Sequence, residues 1–299
     1  MATGDDTSLD RLPASVAPDP LARSVLWAPR GALASCVRAH IVRDTRRAAL
    51  APAQRFNQFP ASPMGALTWF FEGEAVVVRR GDEAVHEPVP RVAVGGPLTR
   101  PMVSVNPGPV HALMVVVNPQ ALALLTGADA ATLIDRFGPL DAYFGAEWQA
   151  LSQRMLDCGD ERVALQLLED FLEPRWRPLA ARAVPRWERY RHWVEGLALR
   201  AAATGVGRSL RQVERRVRQW AGLPLRDLRR LARAEQAFVL VRSAHEQGVV
   251  DWADLAAAAG YADQSHLCRD TRRMTGHTPN ELRHLVYADE AFWPYRLWE

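Results

Sequence analysis

Two stretches of this chain carry side chains whose types and spacing suit contact with a polyanion. Between Arg200 and Arg233 stand ten arginines, at 200, 208, 211, 215, 216, 218, 226, 229, 230 and 233, against only Glu214 and Asp227. That is a local charge of +8 in 34 residues, in a chain with 37 basic and 34 acidic residues overall and no lysine. A helical hairpin facing only water has no need of such one-sidedness, whereas a duplex with one phosphate charge per roughly 1.7 Å rewards it. Further along, Gln264, Ser265, His266, Arg269, Arg272 and Arg273 fall close together. Gln and Arg have bidentate geometry for adenine and guanine edges, and Ser and His bond to bases or phosphates. The competing reading for both stretches is a solvated face.

The elements that must position these groups read as a degenerate repeat. Ser209 to Val217 falls on Asp263 to Thr271 at an offset of 54 residues, and Gly222 falls on Gly276. Each copy begins with a capping residue, keeps an apolar residue four places on (Val213, Leu267) and an arginine six places on (Arg215, Arg269). Before the second copy, Asp254 to Ala259 is a small-residue helix ending at Gly260, followed by the cap Asp263. Alanines let two short helices cross closely, Gly260 supplies a permissive turn and Leu267 fills the angle, as in a helix-turn-helix. Between the copies, Leu228, Leu231, Phe238 and Val241 predict a helix of about twenty residues, spanning roughly 30 Å. Such a helix holds two units near the 34 to 36 Å between successive major-groove faces.

The preceding half has a different pattern. Residues 25 to 117 read as short β segments broken by Pro and Gly, with strands expected at Leu67 to Phe71, Ala75 to Val78, Arg91 to Val94 and His111 to Val117. Glu72-Gly73-Glu74 reads as the turn of a hairpin. Asn118-Pro119 opens a helix that ends at Gly127, and Asp129 caps a second through Phe137. Apolar stripes at Leu151, Met155 and Leu156, then at Val163, Leu167, Leu168 and Phe171, predict two more helices, the second closed by Pro174. With Pro178 and Pro185, that proline marks the best boundary in the chain.

The expected organisation is therefore a flexible leader over 1–24, a β-rich domain with a helical extension over 25–176, a linker over 177–186, and a helical domain with a C-terminal extension over 187–299. The fold class is α+β, with an N-terminal barrel-like domain and an all-α C-terminal one. Cys36, Cys158 and Cys268 are widely separated and form no CxxC pair, so neither a disulfide framework nor a zinc cluster is suggested. His40, His86 and His111 are too far apart to suggest a metal site and read as surface or packed side chains. No nucleophile motif, diagnostic carboxylate pair or phosphate-binding loop occurs, so no catalytic residue and no cofactor is assigned. No run of 18 to 20 apolar residues suggests a membrane span, and the first twenty residues do not look like a signal peptide. The expected compartment is the cytoplasm.

The C-terminal pattern resembles the AraC-type transcriptional regulators, whose DNA-binding domain has two helix-turn-helix units joined by a long helix. The match rests on Leu255-Ala256, Gly260-Tyr261, Asp263, Gln264-Ser265-His266-Leu267, Arg269 and Gly276-His277-Thr278-Pro279. In the first unit it rests on Ser209, Val213, Arg215, Val217 and Gly222, followed by Leu231-Ala232-Arg233. Val217 and Thr271 stand where the family usually has phenylalanine, and Leu225 where it has proline. Thr204 to Gly207 suggests that the first unit's turn is remodelled. The resemblance implies that Arg211, Glu214 and Arg215 face DNA in the first recognition helix, and Gln264, Ser265, His266 and Arg269 in the second. Arg216, Arg218 and Arg272 join them on charge and position. The N-terminal half looks like the cupin-like sensor or dimerisation domains attached to such regulators. The implied partners are double-stranded promoter DNA, a second copy of the chain, a small-molecule effector and RNA polymerase, with no membrane among them. The alternative is an enzyme or small-molecule-binding protein with a regulator-like helical appendage.

Overall fold

The computed structural model describes residues 16–203, 209–246 and 250–297. The N-terminal half contains β1 (Arg23–Trp27), β2 (Val37–Asp44), β3 (Phe56–Phe59), β4 (Gly65–Glu72), β5 (Val76–Arg80), β6 (Glu83–Pro88), β7 (Val92–Gly95), β8 (Met102–Val105), β9 (His111–Val117) and β10 (Phe137–Pro139). They form a six-stranded sheet ordered β1-β2-β9-β4-β7-β10 and a four-stranded sheet ordered β3-β8-β5-β6. Every strand pairing is antiparallel. Helices α1 (Pro119–Thr126), α2 (Ala146–Cys158) and α3 (Glu161–Trp176) follow.

Strand alternation decides what each face of the larger sheet does. Leu67, Trp69, Leu113 and Val115 point to one side and are buried in a core with Leu151, Met155, Leu168 and Trp176 of α2 and α3. Trp69 Nε1 also donates to Ser152 Oγ at 3.0 Å. The intervening Thr68, Phe70, Met114 and Val116 point the other way and line a cavity. Two histidines fix α3 over the sheet: His40 Nε2 lies 3.2 Å from Glu169 Oε1, and His111 Nε2 lies 2.9 Å from Glu161 Oε2. Burial pushes His40 below the usual histidine range, although Glu169 pulls it the other way. His86 is exposed.

The C-terminal half is helical: α4 (Tyr190–Ala203), α5 (Leu210–Ala221), α6 (Leu225–Glu246), α7 (Trp252–Ala258), α8 (Gln264–Thr275), α9 (Pro279–Ala288) and α10 (Trp293–Arg296). Its first core cluster gathers Trp193, Leu197, Val217, Ala221 and Leu228, and it includes Ala61 and Met64 from the β domain. The 177–186 stretch is likewise tied in, since Val184 is buried and its N–H donates to Gln120 Oε1.

Several local expectations change in three dimensions. Glu72-Gly73-Glu74 is not a hairpin turn, because β4 and β5 lie in different sheets and the chain crosses from one to the other at Gly73. Gly73 has φ +77, and a Cβ there would come within 2.2 Å of Pro109 O. The hairpin is instead β5 to β6, around Gly81 at φ +56. Asp129 caps only a short 3-10 turn, Ala130–Leu133, and Phe137 belongs to β10, which pairs with β7 and interrupts the helical region. Pro174 lies inside α3, which continues to the fully buried Trp176. Within the stretch read as leader, β1 starts at Arg23, and Val16 O accepts from Glu290 N–H at 2.7 Å.

Candidate nucleic-acid interface and ligand cavity

The second helix-turn-helix is built as its residues dictate. Asp251 caps α7 by accepting from the N–H groups of Ala253 and Asp254. Gly260 turns the chain at φ +80, and Tyr261 N–H donates to Ala256 O at 2.8 Å. Asp263 then caps α8 through His266 N–H at 2.7 Å. Leu267 is fully buried among Ala237, Val241, Leu255, Ala256, Ala259 and Tyr261. Packing this one face leaves Gln264, Ser265, Arg269, Arg272 and Arg273 exposed along the other.

His266 is not free in the same sense. Its ring meets Tyr261 edge-on with centroids 5.1 Å apart, and its Nε2 lies 3.7 Å from Asp270. Asp270 is buried, and it also faces Arg230 at 3.6 Å and Arg233 at 3.7 Å. Two of the ten arginines in the basic stretch are thus partly balanced by a carboxylate from the other repeat. No pattern in the linear sequence signals that pairing.

In the first unit, Arg211, Glu214, Arg215 and Arg218 are exposed on α5, while Val217 and Ala221 turn inward. Arg216 is half-buried, with its guanidinium 5.7 Å from the Trp220 ring centroid. Glu214 Oε2 accepts from Leu225 N–H at 3.3 Å, at the N-terminus of α6, where a negative charge is stabilised. Ser209 makes no side-chain cap bond. The turn expected to be remodelled, Thr204 to Gly207, and Arg208 lie outside the described residues. The 54-residue repeat is preserved in backbone detail: Gly222 at φ +76 and Gly276 at φ +83 end α5 and α8 alike. Val217 and Thr271, which depart from the family pattern, are both buried. The joining helix α6 is 22 residues long.

The comparison with protein families falls on this region. A family model described as a helix-turn-helix domain matches residues 202–284. This segment is an AraC-type helix-turn-helix domain. The AraC-type domain here spans α5 to most of α9, with the β domain before it and an extension after it. Two solved structures of ToxT from Vibrio cholerae are similar to the chain. The apo form of a ToxT point variant is 11% identical, with a TM-score of 0.37, covering 83% of this chain and 97% of that one. Wild-type ToxT bound to an unsaturated fatty acid is 10% identical, with a TM-score of 0.35, covering 78% of this chain and 92% of that one. No curated protein matches the sequence.

A second feature lies between the two halves. The inner faces of the sheets enclose a cavity of ≈340 Å³, within the size range of small-molecule sites. Its wall is mostly apolar, with Phe70, Met114 and Val116 on one side. The AraC-type domain closes its mouth with Leu231, Glu235 and Phe238 of α6 and Leu282 and Val286 of α9. Glu235 accepts from Tyr190 N–H at 2.6 Å, and burial pushes its carboxyl above the usual range. Burial beside Glu235 also pushes the Tyr190 phenol up to about 12. Sequence reasoning did not find this cavity, since its wall residues are alternate positions on strands far apart in the chain. Among the described residues no group of His, Cys, Asp and Glu is placed to hold a metal ion, and no helix is long and apolar enough to cross a membrane.

Proposed function

We propose that this chain is a sequence-specific transcriptional regulator that binds promoter DNA through both helix-turn-helix units and responds to an apolar effector held in the β domain. The observation that carries the reading is the AraC-type domain with the exposed polar face of α8, where Gln264, Ser265 and Arg269 stand over a fully buried Leu267. Gln264 and Arg269 read base edges, with Ser265 and His266 beside them and Arg272 on phosphate. In the first unit Arg211, Arg215 and Arg218 neutralise phosphates, Arg216 lies nearer the protein, and Glu214 borders the contact while holding the start of α6.

The apolar cavity supports the effector, because a wall of this composition favours a ligand with a small polar fraction. The protein acts in the cytoplasm as a homodimer joined through its N-terminal half, and RNA polymerase is its further partner at the promoter. It carries out no covalent chemistry. Selection of bound duplexes from a random library at near-physiological salt, followed by titration of the selected and scrambled duplexes, tests the reading. A preference of 10³-fold or more is about what specific binders show. Equal binding to both duplexes, or none, removes it. Light scattering over a concentration series tests the dimer, and a full chain that stays monomeric throughout removes that part.

A further inference from the structure

The chain continues past the AraC-type domain, and its C-terminal segment packs against β2 of the larger sheet and β3, the edge strand of the smaller one. After α9, Glu290 is buried to 1% exposure and its Oε1 lies 2.6 Å from Nη2 of Arg43, itself buried on β2. Trp293 follows with 4% exposure. Its indole N–H donates to Asn57 Oδ1 at 2.7 Å, and its ring meets Phe59 edge-on at 6.0 Å. The Arg43 guanidinium lies 4.9 Å from the Trp293 ring centroid, so one cation serves both the carboxylate and the indole. Asn57 is fixed in turn by Asn106 Oδ1 at 2.9 Å. Arg43, Asn57 and Trp293 all border the cavity. Arg43 also donates to Ser24 Oγ at 2.8 Å, and a buried cation and a buried, oriented amide beside a mostly apolar cavity are costly unless their remaining polar atoms are satisfied.

We propose that the seat between β2 and β3 is a binding site for an aromatic N–H group joined to a carboxylate, and that this chain fills it with its own Trp293 and Glu290 as a releasable latch on the second helix-turn-helix unit. The segment leads directly from α9, so the seat moors unit two to the β domain. A second mooring lies beside it, where Ala61 N–H donates to Met274 O at the end of α8. Unit one is held separately: a Cβ on Gly222 would meet the Ala130 backbone at 3.2 Å, which places the end of α5 against the β domain. With both units fastened, their relative placement is set by the β domain and not by the spacing of groove faces on a duplex. Release of Trp293 and Glu290 leaves unit two with the Ala61–Met274 contact but without the seat, which loosens it toward the placement that DNA requires, and apparent affinity rises as the competent fraction rises. This consequence rests on the DNA-binding reading; the seat itself does not.

The test uses the full chain and three variants, Trp293→Ala, Trp293→Phe and Glu290→Gln, with free indole as the probe. Hydrogen exchange over Pro279 to Arg296 reports the latch, and anisotropy titration with the selected duplex reports DNA binding. The expected result is faster exchange in this segment for all three variants, with the β4 and β9 amides unchanged, and DNA affinity raised about 3- to 10-fold. Millimolar indole is expected to slow the exchange of Trp293→Ala back toward wild type and reverse its gain in affinity. If Trp293→Ala does not fold, the two gentler variants decide the outcome. Unaltered exchange overturns the seat. Faster exchange with unchanged or weaker DNA binding overturns the latch and leaves the segment a strut. Absence of DNA binding in the wild type as well overturns the regulator reading, while exchange and indole rescue still judge the seat.

Discussion

Replacing Leu267 by alanine probes the packing that orients the polar face of α8. The side chain has no exposed surface and is packed against Leu255, Ala256, Ala259 and Tyr261 of the preceding helix and turn, and Ala237 and Val241 of α6. Truncation removes three buried carbon groups, worth about 2.4 kcal/mol at ~0.8 kcal/mol each. The void adds to this, because Ala237, Ala256 and Ala259 have no longer side chains to swing into it. The expected loss is therefore about 3 kcal/mol, in the lower half of the usual range for such substitutions. It acts on the local stability of unit two, so the readout is hydrogen exchange of the α7 and α8 amides in the full chain. At 1.4 kcal/mol per decade, exchange through local opening should accelerate about a hundredfold. Leu267→Met, close in volume, should stay within about 1.5 kcal/mol of wild type. Unchanged exchange in α7 and α8, accompanied by weakened DNA binding, would refute the packing argument and move Leu267 to the interface.

Gln264→Ala and Arg269→Ala should each cost about 1 to 3 kcal/mol on the selected site and relax preference at one base pair, leaving scrambled duplexes little affected. Equal losses on both duplexes in matched titrations would assign them to phosphate. Arg218→Ala, exposed on α5, should lower the slope of log affinity against log salt by about 0.9 without changing base preference; an unaltered slope places the side chain off the DNA. Burial, outweighing the pull of Glu169, sets the folded pKa of His40 below its unfolded one. Its contribution to stability is present above about pH 6.5 and is lost as pH falls through that value and then through the folded pKa. Denaturation midpoints taken between about pH 7 and pH 5 should fall with acidity, and His40→Gln should flatten the trend; an identical slope in the variant would show that other groups cause it.

What the sequence determined by itself was part of what depends on neighbours in the chain: most helix caps and the positive-φ glycines, but not a cap bond at Ser209 or a helix end at Pro174. Asn118 with Pro119, Asp160, Asp263 and the glycines at 222, 260 and 276 act within one helical turn, and each does in the structure what its type dictates. The same holds for the burial of Leu267 and the exposure of Gln264, Ser265 and Arg269, since period and cap together orient the helix face. The strand over His111–Val117 was legible for a similar reason, as an unbroken β-branched and apolar run. Only the tertiary structure decided which segments meet. A turn at Gly73 looks alike whether the next strand pairs back or crosses to a second sheet, and nothing near it in the chain announces that Pro109 lies where a Cβ would fall. Nothing near Asp270 in the chain announces Arg230 and Arg233, and nothing near Arg43 announces Glu290, 247 positions away. Closing such contacts takes the packed core of the whole molecule to offset loop entropy, so local sequence carries no trace of them. The cavity, its lid of α6 and α9 and the seat of Trp293 belong to that second class.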